Sequence, residues 1–392
     1  MLKPGLMLVL LASLQAFAPL SIDMYLPALP QVASDLGGDE AQIQLSVSSF
    51  LVGLFIGMLL YGPLSDKYGR RRFLLFGISL YAITCLGCMF ASSPLHLIVW
   101  RLLQALGGAA AAVLGRAIVR DIFPVTEAAR ALSLMHLVTM IASLSAPVLG
   151  SYLMLVASWR WVFAVLLLYS LLVLLATFLK IPETHHGSSR NSSLAQVFLA
   201  YLSLLGQRVA IGYVFSMGLC FAGMFAFITA SSFVYIDYFH LNPRQYALLF
   251  ALNVVGIMIL VITNARIVHR LGTQVILYAT TLICALSGLV LITSAAFGYA
   301  SLPLIVCCIF GHVSCTGVIG ANCLASMLAR YPDQSGAAAG LAIAAQFGLG
   351  AAASSLVSIL FDGTPLYMSL IVGGSGIGCL LFLLLTRKVN QR

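Results

Sequence analysis

Two charges of opposite sign lie deep inside apolar runs of this 392-residue chain. Asp23 sits in Pro19-Leu-Ser-Ile-Asp23-Met-Tyr25-Leu-Pro-Ala-Leu-Pro30, and Arg101 opens Arg101-Leu-Leu-Gln104. The other acids (Asp35, Asp39, Glu40, Asp66, Asp121, Glu127, Glu183, Asp237, Asp333 and Asp362) fall in loops or near helix ends. A charge inside a membrane-spanning run costs a few kcal/mol and marks a functional position by default. The chemistry open to such a carboxylate is proton exchange. Burial disfavours its ionised form and a nearby cation favours it, so a conformational change that alters either term moves a proton. The alternative is a permanent ion pair that only locks two helices together.

The elements that must carry these charges follow from composition. Hydrophobic residues make up 61% of the chain and charged residues 8%, with mean hydropathy +1.06. A soluble domain carries roughly a quarter charged residues, so a water-facing surface is excluded. Apolar runs of membrane-spanning length predict helices at 5–30, 41–61, 73–91, 95–118, 131–156, 161–179, 210–234, 245–265, 274–295, 302–328, 336–360 and 366–385. The runs are continuous and lack a period of two, which favours helices over a barrel. The expected fold class is all-α: a polytopic membrane protein of two pseudo-symmetric six-helix bundles. Lys3, the first apolar run and Ala16-Phe17-Ala18 also fit a cleavable secretory signal, but the run continues to Leu29, which favours a retained helix.

Basic residues set the orientation. With the N-terminus inside, seventeen of the twenty Lys and Arg residues fall on the cytoplasmic side, and Arg160 and Arg244 alone lie outside. Both termini are then cytoplasmic in an inner membrane. The net charge of +9 reports this topology and calls for no nucleic-acid partner. Asp23 lies about six residues below the outer end of its span and Arg101 about six below the outer start of its own. At about 1.5 Å per residue both sit about 9 Å deep. They are expected to share one cavity, directly or through Gln104.

All nine cysteines fall in predicted helices. Cys85-Leu-Gly-Cys88 has redox or metal spacing but no second pair or nearby His, and reads as small apolar packing. No nucleophile–base set, metal spacing or phosphate loop marks an enzyme, and no cofactor is expected. The polar stretch 181–208, with His185-His186 and Asn191-Ser192-Ser193, reads as a cytoplasmic linker, with a short interfacial helix over Leu194 to Leu205. It separates an N-terminal bundle (1–180) from a C-terminal bundle (209–392). Gly62-Pro-Leu-Ser-Asp66-Lys-Tyr-Gly69-Arg70-Arg71-Arg72 is echoed by Asn264-Ala-Arg266-Ile-Val-His-Arg270-Leu-Gly272 at an offset of 203 residues. Such repeats are expected of rocking carriers.

The loop from Gly62 to Arg72 resembles the signature loop of the major facilitator superfamily. Arg101 to Gly107-Gly108 resembles that superfamily's proton-antiporter motif. Ser145-Ala146-Pro147-Val-Leu-Gly150 resembles a relaxed form of its antiporter motif, with Ala146-Pro147 where Gly-Pro is usual. Pro19 to Pro30, together with Arg120-Asp121-Ile-Phe-Pro124 and Phe233-Val-Tyr235, is similar to the bicyclomycin/chloramphenicol resistance (Bcr/CflA) branch of drug:proton antiporters.

The resemblance implies an exporter of drugs or other small amphipathic molecules, working as a monomer in the lipid bilayer and driven by protons. Asp23 and Arg101 would couple the proton. Gly62, Asp66, Gly69, Arg70 and Arg120 would form a conformational latch, with Asp66 at the start of span eleven or paired with Arg120 or Arg130. Pro147 and Gly150 would form a hinge. Tolerant substrate contacts would come from Asp23, Tyr25, Arg101, Gln104, Met217, Phe221, Met224, Tyr235 and Asn253. The alternative on the same fold is a proton-coupled symporter or metabolite exporter, because a symporter could use the same two charges.

Overall fold

A computed structural model describes residues 4–184 and 194–386; among these the apolar runs are helical and no strand forms. The His185-His186 pair and the Asn191-Ser192-Ser193 triplet lie outside the described residues. Twelve segments of the described chain are long and apolar enough to cross a membrane. The chain is a multi-pass membrane protein.

The first span is assembled from pieces: α1 (Pro4–Ser13), a 3-10 turn (Leu14–Ala16), α2 (Phe17–Asp23), a second 3-10 turn (Leu26–Ala28) and α3 (Leu29–Leu36). Prolines explain the interruptions. Pro27 has no N–H to return to the Asp23 carbonyl four residues earlier. The chain tightens there instead: Tyr25 N–H donates to Ile22 O at 3.2 Å and Ala28 N–H to Tyr25 O at 3.0 Å. Then come α4 (Glu40–Tyr68), α5 (Arg70–Met89), α6 (Pro94–Ile122), α7 (Val125–Val156) and α8 (Arg160–Lys180). Helix α4 outruns its expected span because it continues past the apolar window through Asp66 and Lys67, whose charges reach the aqueous boundary.

After α9 (Leu194–Leu205) come α10 (Arg208–Ser232) with a π-helical extension (Phe233–Tyr238), α11 (Pro243–Leu271), α12 (Thr273–Ala296) and α13 (Leu302–Arg330). A 3-10 turn (Pro332–Gln334) precedes α14 (Ser335–Leu360) and α15 (Leu366–Leu384). The helices gather into two compact units, Met1–Ser192 with Pro243–Ala247, and Ser193–Asn242 with Leu248–Arg392.

Within the first unit α6 is central, packed on α4 and α5. Small residues make this approach close: a Cβ on Gly53 would lie 2.3 Å from Leu102 O, and one on Gly107 would lie 2.6 Å from Gly77 O. Within the second unit α10 packs on α13, α14 and α15, and α12 on α13 and α15. Its core includes Met217, Cys220, Cys284, Cys315, Ile319 and Cys379. The cysteines are free thiols. Gly69 and Gly272, the two ends of the 203-residue echo, both have positive φ (100° and 77°) and open the next helix, α5 and α12.

Candidate functional site

Asp23 is the last residue of α2 and is buried, with 6% of its surface exposed. The polar side chain set against it is Ser143 of α7. No Lys, Arg or His among the described residues lies within ion-pair distance of it. Pro147 stays inside a continuous α7. It supplies no N–H for the Ser143 carbonyl, so Ser143 and Asp23 each stand four residues before a proline and each lose an intrahelical bond. Gly150 lies one turn further along α7, where a Cβ would come 2.1 Å from Met24 O. Gly150, expected with Pro147 as a hinge, is the point at which α7 bears on the break after Asp23.

Arg101 is fully buried, with none of its surface exposed. The i, i+3 spacing puts Gln104 on the same face of α6. Arg101 Nη1 donates to Gln104 Oε1 at 2.7 Å, and Gln104 Nε2 donates to Cys85 Sγ at 3.1 Å. The guanidinium carbon lies 4.1 Å from the Phe50 ring centroid, 4.8 Å from that of Tyr25 and 5.9 Å from that of Phe163. Its Nε and Nη2 have no hydrogen-bond partner. Tyr25 is fixed in turn by its hydroxyl contact with Ser46 Oγ at 2.9 Å.

Of the two contacts left open between Asp23 and Arg101, direct or through Gln104, neither is formed. Depth placed both charges at one level, but their helices turn them to different neighbours, and Gln104 bridges to Cys85 rather than to Asp23. Arg101 is held by an aromatic enclosure, where ring quadrupoles replace a counter-ion.

At the opposite end of α4 the signature loop forms a polar cluster. Arg70 Nη2 lies 3.2 Å from Asp66 Oδ1 and its Nε 2.5 Å from Asp121 Oδ2. Asp121 Oδ2 also accepts from Thr184 Oγ1 at 3.0 Å. Glu183 Oε1 accepts the N–H groups of Arg70 at 2.8 Å, Arg71 at 3.4 Å and Thr184 at 3.1 Å. The carboxylate thus caps α5, whose first residue follows a glycine without a side chain to do so. Gly69 is required twice: its φ is +100°, and a Cβ would lie 2.6 Å from Glu183 Oε2.

Two parts of the expected latch stand apart from this cluster. Arg120 and Arg130 are exposed and pair with no acid among the described residues; the partner of Asp66 is Arg70, four residues on. Gly62 has open space around it and carries no packing role. Asp121, Glu183 and Thr184 are the members that sequence reasoning missed as site residues. Ile181-Pro182-Glu183-Thr184, just past the sixth span, was the available signal: a carboxylate where a helix has been stopped by proline.

These features match a known family. The model of the Major Facilitator Superfamily aligns with residues 11–355. The chain belongs to the Major Facilitator Superfamily. It is a transporter of small molecules, not an enzyme. It is 32% identical over 385 residues to the bicyclomycin resistance protein homolog of Haemophilus influenzae, covering 97% of this chain and 96% of that one. It is 30% identical over 244 residues to the multidrug resistance protein MdtL of Escherichia coli, covering 60% of this chain and 59% of the relative. Among solved structures, the nucleoside transporter NupG superposes with a TM-score of 0.76 at 16% identity, covering 97% of this chain and 99% of that one. The D-xylose-proton symporter superposes with 0.74 at 17%, covering 97% of each.

The remaining expected substrate residues of this facilitator lie in its second unit. Met217 is buried in the apolar core, which accounts for it as packing. Phe221 and Met224 are half-buried. Phe221 stands with Gln346 over Gly320, where a Cβ would meet their side chains at 3.2 and 3.3 Å. Tyr235 is buried in the π-helical extension of α10, a distortion often found at functional sites. Asn253 is buried; its Nδ2 donates to Leu249 O at 3.0 Å and its Oδ1 has no partner. His312, unremarked in the sequence, is fully buried with Nε2 3.1 Å from Cys220 O and Nδ1 unpartnered.

Proposed function

We propose that this facilitator is a proton-coupled antiporter that exports drugs or other small amphipathic molecules. It would work by alternating access, as a monomer, in an inner membrane with both termini cytoplasmic. The observation that carries the reading is Asp23: a carboxylate buried within a span, with Ser143 beside it and no cation of the described residues in ion-pair range. An ionised carboxylate without a partner is costly in apolar surroundings. A group so placed is suited to carry a proton while buried and to give it up when the cavity is wetted. Arg101, held apart by rings, would keep a fixed positive charge near that cavity and favour proton release once water enters. No cofactor is needed, since the proton gradient supplies the energy.

The magnitude is adequate. A proton moving down about 100 mV gains about 2.3 kcal/mol, and one pH unit adds about 1.4 kcal/mol. Together they sustain a gradient of about several hundredfold for a neutral compound. Export, as opposed to uptake, is supported by the two relatives named for bicyclomycin and multidrug resistance. A resistance screen in an efflux-deficient strain, followed by drug-stimulated proton movement in proteoliposomes, tests the reading. Drug and proton moving in opposite directions is the expected result; movement in the same direction would make the chain a symporter.

A further inference from the structure

A groove of about 460 Å³ opens between the start of α5 and the end of α8, lined by Arg71, Phe178, Leu179, Lys180, Pro182 and Glu183. It lies at the level where both spans end, so it faces the boundary between hydrocarbon and headgroups. Of its lining, Phe178 and Leu179 are 58% and 61% exposed, apolar side chains open to acyl chains in a membrane. At its rim stand two cations. Arg71 lies over the Phe178 ring at 5.5 Å, donates from Nη2 to Phe178 O at 2.7 Å, and leaves its Nε without a partner. Lys180 is exposed, with no acid paired to it among the described residues. The lone acid of the lining, Glu183, has its Oε1 committed to three backbone N–H groups, so it opposes an incoming anion weakly.

We infer that this groove seats the headgroup of an anionic phospholipid, with its phosphodiester between Arg71 and Lys180 and its acyl chains along Phe178 and Leu179. Basic pockets between spanning helices recognise such headgroups by charge, and the apolar flank selects a lipid over a free anion. Arg71 is fastened to the end of α8 by its bond to Phe178 O, so the guanidinium is positioned before the lipid arrives.

Native mass spectrometry of the full chain, purified from bilayers holding equal phosphatidylglycerol and phosphatidylethanolamine, tests this. The intact protein should retain phosphatidylglycerol over phosphatidylethanolamine by about fivefold, and Arg71→Ala or Lys180→Gln should bring the two near parity. Arg72→Ala, an exposed neighbour outside the lining, should leave the preference unchanged. Lys180→Gln alters an exposed side chain and keeps the test available if Arg71→Ala folds poorly. Equal retention of the two lipids by the intact protein, or an undiminished preference in Lys180→Gln, would overturn the inference. So would displacement of the bound lipid by millimolar inorganic phosphate, which would assign the groove to a free anion.

Discussion

Arg101 is tied to Gln104, not to Asp23: its Nη1 donates to Gln104 Oε1 at 2.7 Å, and three aromatic rings enclose the remaining face. The two deep charges thus have separate contacts, and they can be altered separately. A planar guanidinium stacks on rings and bonds in its own plane, whereas an ammonium does neither.

Arg101→Lys is expected to lower transport about tenfold or more although the charge is kept, because an ammonium retains the cation–π attraction but loses the flat stacking on the rings and the planar fork that bonds Gln104. Gln104→Ala should cost about 1–3 kcal/mol of stability by leaving another buried donor unpartnered. Uptake assays and thermal melting in detergent check both. Full activity in Arg101→Lys would show that only charge matters there.

Glycines on the two sides of the first bundle should respond oppositely. Gly150→Ala places a Cβ against Met24 O at 2.1 Å and should cost at least about 1–3 kcal/mol by overpacking. Gly62→Ala meets nothing within 4 Å and should melt like the parent. Equal melting temperatures for the two variants would contradict the packing described for α7.

Capping of α5 gives a third contrast. Glu183→Ala removes the acceptor of Arg70 and Arg71 N–H and should cost about 0.5–2 kcal/mol. Arg120→Ala, exposed and unpaired within the described residues, should change stability by less than about 0.5 kcal/mol. Thermal melts of both, with transport rates, separate the observed cluster from the one expected from sequence.

Pro147→Ala returns an N–H to the Ser143 carbonyl. The helix should stiffen and stability should rise or hold, while the transport rate falls if bending at this position accompanies the cycle. Hydrogen exchange over α7 and initial transport rates measure the two effects. A stiffer α7 with an unchanged rate would remove Pro147 from the account.

What was legible in the sequence was whatever depends on one coordinate. Depth along a span follows from hydropathy and rise per residue, so the twelve spans and the burial of Asp23 and Arg101 could be read directly. The offset of 203 residues likewise led to Gly69 and Gly272, which share one backbone conformation. Azimuth around a helix was not legible, so the contact between Asp23 and Arg101 stayed open: equal depth says nothing about which way a side chain turns. Gln104, one of the two routes left open between the charges, bonds Cys85 of α5. The α5 cap was missed for a related reason, since Glu183 lies 113 residues from the N–H it accepts and nothing local links them. The prolines carry a further signal. Pro27 and Pro147 stand four residues after Asp23 and Ser143, and that spacing alone identifies two carbonyls released within the membrane.

The most direct test of the account is proton movement by Asp23→Asn in proteoliposomes, read with a pH-sensitive dye while an exported drug is added. The intact protein should move protons against the drug flux; Asp23→Asn should still bind the drug, with proton movement at background and no uphill transport. Drug-stimulated proton flux equal to that of the intact protein in Asp23→Asn would contradict the central claim and place the coupling proton elsewhere.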